Sequence, residues 1–260
     1  MSLYGLLFDV GLATRRLITQ AGGMAILSAQ AIYFTFTRPF CIGPIVQQME
    51  LIGIKSLGIV SITALFTGMV LGLQTAYGLA RFGAKYYIGG VVSLSIVREM
   101  GPVLTALVVG GRVGSGMAAE LGSMSVTEQI DAMRAIGDNP IKGLVVPRIV
   151  ACILALPLLT AVADLLGILG GLIISLIEVE DSFFLYFQTV RSSLLISDVL
   201  SGIFKTLFFG FIVAIVGCYQ GLSTKGGTRG VGTATTVTVV TSFLMILVAD
   251  FVLTKIFLAL

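Results

Sequence analysis

Histidine is absent from this sequence of 260 residues, and charged side chains make up only 11% of it. The first absence excludes His-ligated metal sites, His general bases and Ser-His triads. The second leaves too little polar surface to coat a water-soluble domain, which carries roughly a quarter charged residues. Hydrophobic residues take up the difference, at 57% of the chain and a mean hydropathy of +1.06. The chain therefore reads as an integral membrane protein. Basic blocks are also missing, and a net charge of +3 gives no reason to expect a nucleic-acid partner. Cysteine is sparse: Cys41, Cys152 and Cys218 stand in apolar surroundings at no metal-ligand spacing. They are expected to be buried thiols, and no metal is expected in this chain.

A spanning helix needs about 20 mostly apolar residues. Ser56–Ala80 qualifies with no charge at all, and Tyr86–Gly111 is apolar except for Arg98 and Glu99. Ile149–Ile177 contains only Asp164, Val199–Thr224 only Lys205, and Gly230–Thr254 only Asp250. The expected fold is all-α, with five transmembrane helices. Leu17–Thr37 is uncharged too, but Gln20, Gln30 and the pair Gly22 and Gly23 weaken it.

Loop charges orient the spans. Residues 112–148 hold Arg112, Arg134, Lys142 and Arg148, and residues 225–229 add Lys225 and Arg229. Residues 178–198 are acidic, with Glu178, Glu180, Asp181 and Asp198 against Arg191. The excess of Lys and Arg places the first two loops in the cytoplasm and the C-terminus outside. A crossing at 17–37 would put Arg15 and Arg16 outside, so that segment is expected to lie along the inner interface. The opening MSLYGLLFDVGLATRR reverses the charge order of a secretory signal, so the N-terminus is expected to be retained on the cytoplasmic side.

Glycines recur at helix-packing spacing, as Gly68/Gly72, Gly110/Gly114, Gly167/Gly171 and Gly217/Gly221. Small residues let helices approach closely in lipid, where no hydrophobic force joins them. Packing of a single bundle accounts for these pairs, and a dimer seam would use the same signal.

An ionisable group in hydrocarbon costs at least about 2.5–3.5 kcal/mol unless it finds a partner, water or the interface. At about 1.5 Å per residue, Arg98 and Glu99 lie roughly 18–20 Å into their span, near its middle. Asp164 lies about 23 Å from the inner end of its helix, while Lys205 and Asp250 share a level near the outer side. A structural ion pair between Lys205 and Asp250 is one account of those two, and a functional role is the other. Adjacent helical residues point about 100° apart, so Arg98 and Glu99 do not face each other. At least one of them must look into a wet cavity or toward another helix, the usual mark of a substrate path.

Two glycine-rich stretches fall short of a nucleotide-binding loop. GRVGSGMA (Gly111–Ala118) has Met117, and GLSTKGGT (Gly221–Thr228) has Gly227, where a phosphate-binding Lys must stand. Any ATP is therefore bound by another subunit. In the loop that follows Gly111, Ser125 and Glu128 suggest a capping box, and Gly137 with Pro140 a stop. The expected helix runs about three turns, with Val126, Ile130 and Met133 on one face and Thr127, Glu128, Asp131 and Arg134 elsewhere. It is either a connector packed on the bundle or a helix presented to a cytoplasmic partner.

The stretch REMGPVLTALVVGGRVGSGMAAELGSMSVTEQIDAMRAIGDNP, beginning at Arg98, resembles the signature of the MlaE (YrbE-type) permeases. These are membrane subunits of lipid-transporting ABC systems that work with MCE-domain proteins. The likeness continues in GMVLGLQ (Gly68–Gln74), ALPLLT (Ala155–Thr160) and ADFVLT (Ala249–Thr254), with Lys205 as the counterpart in the fourth span. The N-terminal 50 residues match in character only, which divides the chain into an interfacial segment, 1–50, and a permease domain, 51–260.

The resemblance implies a homodimer of five-span subunits in a bacterial inner membrane, each preceded by an interfacial helix. A pair of cytoplasmic ATPases would bind ATP and Mg and dock on the short coupling helix, at Glu128, Gln129, Asp131, Met133 and Arg134. An MCE hexamer would sit on the periplasmic side, in some systems with a STAS-domain protein on the ATPase. The subunit itself would be non-catalytic, and its cargo phospholipid moving between inner and outer membranes. The lipid site carried over is Leu71, Gln74, Gly78 and Phe82, with Arg98 and Glu99 beneath and Tyr77 as a neighbour. A competing class is an ion-coupled secondary transporter with Asp164, Lys205 and Asp250 as a relay, although the halves show no convincing repeat. A membrane-embedded lipid enzyme ranks last, because no nucleophile can be paired with a His base.

Overall fold

The computed structural model describes residues 3–37, 42–178 and 182–259, and these are helical with short connections. Cys41, Glu180 and Asp181 lie outside the described residues. Helix α1 covers Leu3–Thr35. Five helices are long and apolar enough to cross a membrane: α2 (Ile42–Ala80), α3 (Lys85–Val126), α5 (Ile141–Glu178), α7 (Ile196–Leu222) and α8 (Gly227–Phe257). Two short helices complete the described residues, α4 (Gln129–Ala135) and α6 (Phe183–Ser193). The five expected spans are therefore present, and α1 is not among them.

Two of the spanning helices outrun the apolar segments that announce them by more than three turns. α2 starts fourteen residues before Ser56 and α3 ends fifteen residues after Gly111. Much of the expected loop 112–148 is thus helix, which at about 1.5 Å per residue carries α3 roughly 22 Å beyond its apolar run. A backbone leaving lipid has no reason to stop hydrogen-bonding to itself, so the membrane edge is no helix terminus.

The glycine pairs knit the bundle within one chain. α2 and α5 run side by side, and a methyl group on Gly68 would strike the backbone of Gly167. Gly72 faces Gly171, and Gly170 faces the carbonyl of Leu65. On the other side, Gly217 and Gly221 of α7 meet Gly114 and Leu121 of α3. The core between these pairs includes Leu121, Cys152, Leu156, Phe209, Val213 and Cys218, all buried. Cys152 and Cys218 are buried free thiols, as expected.

The acidic loop 178–198 contains a helix that no periodicity announced. Ser182 caps α6 by accepting the Leu185 N–H at 3.3 Å. Tyr186 is buried, donates its hydroxyl to the Ile168 carbonyl at 3.0 Å, and rests on the start of α3. Gly89 and Gly90 permit that approach, since side chains there would collide with Tyr186, Thr189 and Ser193.

The expected capping box is not formed. Ser125 is still inside α3, where its hydroxyl donates to the Thr224 carbonyl at 3.3 Å and ties α3 to the α7–α8 turn. The chain reverses at Glu128, the one described non-glycine residue with positive φ, at 60°. Helix α4 starts only after that kink and has seven residues rather than three full turns. Val126 consequently belongs to α3, and Ile130 alone is buried beneath α4. The stop is where the sequence placed it, with Gly137 at φ 85° and Asn139 accepting the Ile141 N–H at 3.0 Å.

Candidate functional site

The interior charges gather where α3, α7 and α8 meet. The α3 backbone takes a π-helical turn over Ile96–Met100, so Arg98 and Glu99 sit on a locally widened stretch. This turn is one of four π-helical turns among the described residues, the others being Glu50–Ile54, Gly110–Gly114 and Ile141–Val145. Pro102 contributes here by lacking an N–H. A regular helix would pair the Arg98 carbonyl with residue 102, and a proline cannot donate. Lys205 of α7 supplies a donor instead, with Nζ 3.1 Å from the Arg98 carbonyl oxygen.

Lys205 is 2% exposed and has further acceptors. Its ammonium donates to Glu99 Oε2 at 2.7 Å, Thr254 Oγ1 at 2.7 Å and Asp250 Oδ1 at 3.2 Å. The Thr254 hydroxyl in turn donates toward both Glu99 carboxylate oxygens at 3.2 Å. The expected Lys205–Asp250 pair exists, but Glu99 is the nearer carboxylate. One ammonium therefore joins three spans. Gly202 brings α7 close enough, because a side chain there would meet the Val97 carbonyl and Pro102.

Arg98 turns to a partner that the sequence reading left among the outer acids. Its Nε and Nη2 donate to Asp198 Oδ1 at 2.8 and 2.6 Å. The other Asp198 oxygen accepts the Leu195 N–H at 3.0 Å, at the N-terminus of α7, where a carboxylate is favoured. Asp198 is nearly buried, while the Arg98 side chain is 39% exposed. The signal for Asp198 was present: it stands seven residues before Lys205, two turns along the same face of α7.

These groups border a cavity of about 260 Å³, with Arg98, Glu99, Asp198 and Lys205 on its wall and Ser201, Thr254 and Phe257 beside them. Its polar lining can accept a charged headgroup or water.

The other expected lipid-site residues lie elsewhere in the isolated chain. Leu71 is half-buried against the cluster of Ala76, Ile88, Val92 and Ile96. Gln74 and Gly78 are exposed near the C-terminal end of α2 and Phe82 just beyond it, with Tyr77 beside them. None of the four lines the charged cavity, although the Ile96 cluster links Leu71 to the turn that carries Arg98. Asp164 is also separate. It is buried on α5 with Oδ1 over Gly101, and that oxygen has no hydrogen-bond partner among the described residues. The structure thus joins Lys205 to Asp250 but not to Asp164.

At the opposite end of the bundle, α4 presents Gln129, Asp131 and Arg134 as exposed residues, with Met133 half-buried and Glu128 exposed at the kink. Asp131 and Arg134 pair at 3.0 Å on the surface. Ile136 is 82% exposed just beyond.

The family profile described as Permease MlaE matches residues 45–256. A probable ABC transporter permease of Rickettsia conorii is 38% identical over 255 residues, covering 98% of either chain. One from Synechocystis is 48% identical over 209 residues, covering 80% of this chain and 79% of its own. The chloroplastic protein Trigalactosyldiacylglycerol 1 of Arabidopsis thaliana is 40% identical over 211 residues, covering 81% of this chain and 60% of its own. With five spanning helices and this match over most of its length, the chain is a multi-pass membrane protein that belongs to the MlaE family of ABC transporter permeases.

Proposed function

We propose that this permease carries phospholipids between the inner and outer membranes of a bacterial cell and thereby maintains outer-membrane lipid asymmetry. The observation that carries the reading is the Arg98 cavity, a pocket lined by charged and hydroxyl side chains between three apolar spanning helices. A two-chain amphiphile needs that combination. A guanidinium matches phosphate geometry, and Arg98 holds Asp198 by its Nε and Nη2 while Nη1 has no partner among the described residues. An incoming phosphate would compete with Asp198 for Arg98. A relative named for trigalactosyldiacylglycerol agrees with a diacyl lipid as the class of cargo.

In this reading two copies pair in the inner membrane, with N-termini cytoplasmic and C-termini periplasmic. ATP and Mg belong to a separate ATPase that docks on α4 through Glu128, Gln129, Asp131, Met133 and Arg134. An MCE hexamer receives or delivers lipid at the periplasmic end, and a STAS-domain protein can join the ATPase.

The test is lipid transfer by the reconstituted complex between vesicles carrying fluorescent phospholipid. Transfer should require ATP, and Arg98→Gln should lower it while ATP hydrolysis and assembly persist. Uptake by the chain alone, driven by a proton gradient without ATP, would overturn the reading in favour of a secondary transporter.

A further inference from the structure

The α4 end of the bundle contains a second cleft, of about 310 Å³, between α2 and the extension of α3. Leu51, Ile52, Val113 and Met117 give it apolar walls, and Lys55 and Arg112 stand at its edge. Both cations mark the limit of an apolar run. Lys55 immediately precedes the uncharged stretch 56–80, and Arg112 immediately follows the stretch 86–111. They therefore sit where a bilayer changes from acyl chains to headgroups.

Both cations line the same cleft. Ser56 is fully buried and accepts from Arg112 Nη1 at 2.7 Å, which brings the guanidinium next to the residue that follows Lys55. The Lys55 ammonium makes no hydrogen bond or ion pair with any described residue. The acid on the lining, Glu120, is already engaged by the buried Arg148 at 2.8 Å. The cleft keeps an excess of positive charge. Gly116 leaves the slot open, since a side chain there would meet nothing within 4 Å.

We propose that this cleft binds the headgroup of an anionic phospholipid from the leaflet at the α4 end, with Arg112 and Lys55 on its phosphate and an acyl chain along the apolar walls. Basic pockets between spanning helices are suited to such lipids. A free phosphate would have no use for the walls. The binding stands independently of the transport reading; only the naming of the leaflet as cytoplasmic rests on the orientation proposed with it.

The full chain is placed in nanodiscs of equal phosphatidylglycerol and phosphatidylethanolamine, and retained lipid is counted by native mass spectrometry. Lys55→Gln should lower phosphatidylglycerol retention about fivefold, the equivalent of about 1 kcal/mol for one Lys near an anionic surface. Gly116→Leu, which fills the slot but keeps both charges, should also lower it. Lys255→Gln, an exposed Lys at the opposite end, should not. Three results would overturn the proposal: unchanged retention in both cleft variants, equal displacement by millimolar inorganic phosphate, or loss of a co-purifying protein from Lys55→Gln with lipid unaffected. Lipid transfer is measured separately, so failure of the transport reading leaves this count interpretable.

Discussion

Lys205 and Asp164 are both buried inside spanning helices, at 2% and 7% exposure, and the fold treats them in opposite ways. Lys205 has acceptors on two neighbouring helices: the Arg98 carbonyl and Glu99 on α3, Asp250 and Thr254 on α8. Asp164 has an oxygen with no hydrogen-bond partner among the described residues, accommodated because Gly101 lacks a side chain. Depth in the membrane therefore does not decide what an interior charge does. One group fastens three spans, and the other occupies a gap between two.

The largest effect should follow from Lys205→Met. Removing one member of a buried ion pair costs about 3–5 kcal/mol, because the remaining charge is stranded. Glu99 is 35% exposed and partly screened, so the lower end, about 3 kcal/mol, is expected. Thermal unfolding of the detergent-solubilised chain measures it. Swapping the pair, Lys205→Asp with Asp250→Lys, sharpens the point. A simple two-residue bridge would recover fully. Here recovery should be partial, since the new carboxylate at 205 faces Glu99, which is the closer partner at 2.7 Å. Full recovery would show that Glu99 contributes nothing to the cluster.

A smaller contrast separates two glycines of one helix. Gly68→Ala drives a methyl group into the Gly167 backbone and should cost about 1–3 kcal/mol as the two helices move apart. Gly78→Ala meets open space and should be neutral or stabilising by up to about 1 kcal/mol, through reduced backbone freedom of the unfolded chain. Equal unfolding temperatures for the two variants would remove the tight α2–α5 contact from the account of stability.

The five spans were legible because each is a long apolar run, and lipid demands such runs. Their ends were not, because α3 continues through the glycine-rich 110–116 into water. Depth arithmetic placed Lys205 and Asp250 at one level, but level says nothing about rotation around a helix axis. Glu99 reaches Lys205, and Arg98 reaches Asp198, because of the π-helical turn at Ile96–Met100, which a 100° step per residue does not anticipate. The glycine spacing announced close packing without naming partners. Ser125 misled because its hydroxyl serves the α7–α8 turn rather than its own helix.

The smallest effect is expected at Asp164, and it is the one that most directly separates the two transport classes. A relay carrying protons or cations past Lys205 and Asp250 would need the Asp164 carboxylate, so Asp164→Asn would abolish transport. The structure gives Asp164 no contact with that cluster and leaves its Oδ1 without a hydrogen bond among the described residues. Asn has almost the same shape, and no hydrogen bond to that oxygen exists to be lost. Stability should therefore change by about 1 kcal/mol or less, well below the effect of Lys205→Met. ATP-driven lipid transfer in the reconstituted complex should stay near the wild-type rate. If Asp164→Asn instead stops transfer while the complex assembles and hydrolyses ATP, the contrast between the two buried charges collapses and Asp164 belongs to the path.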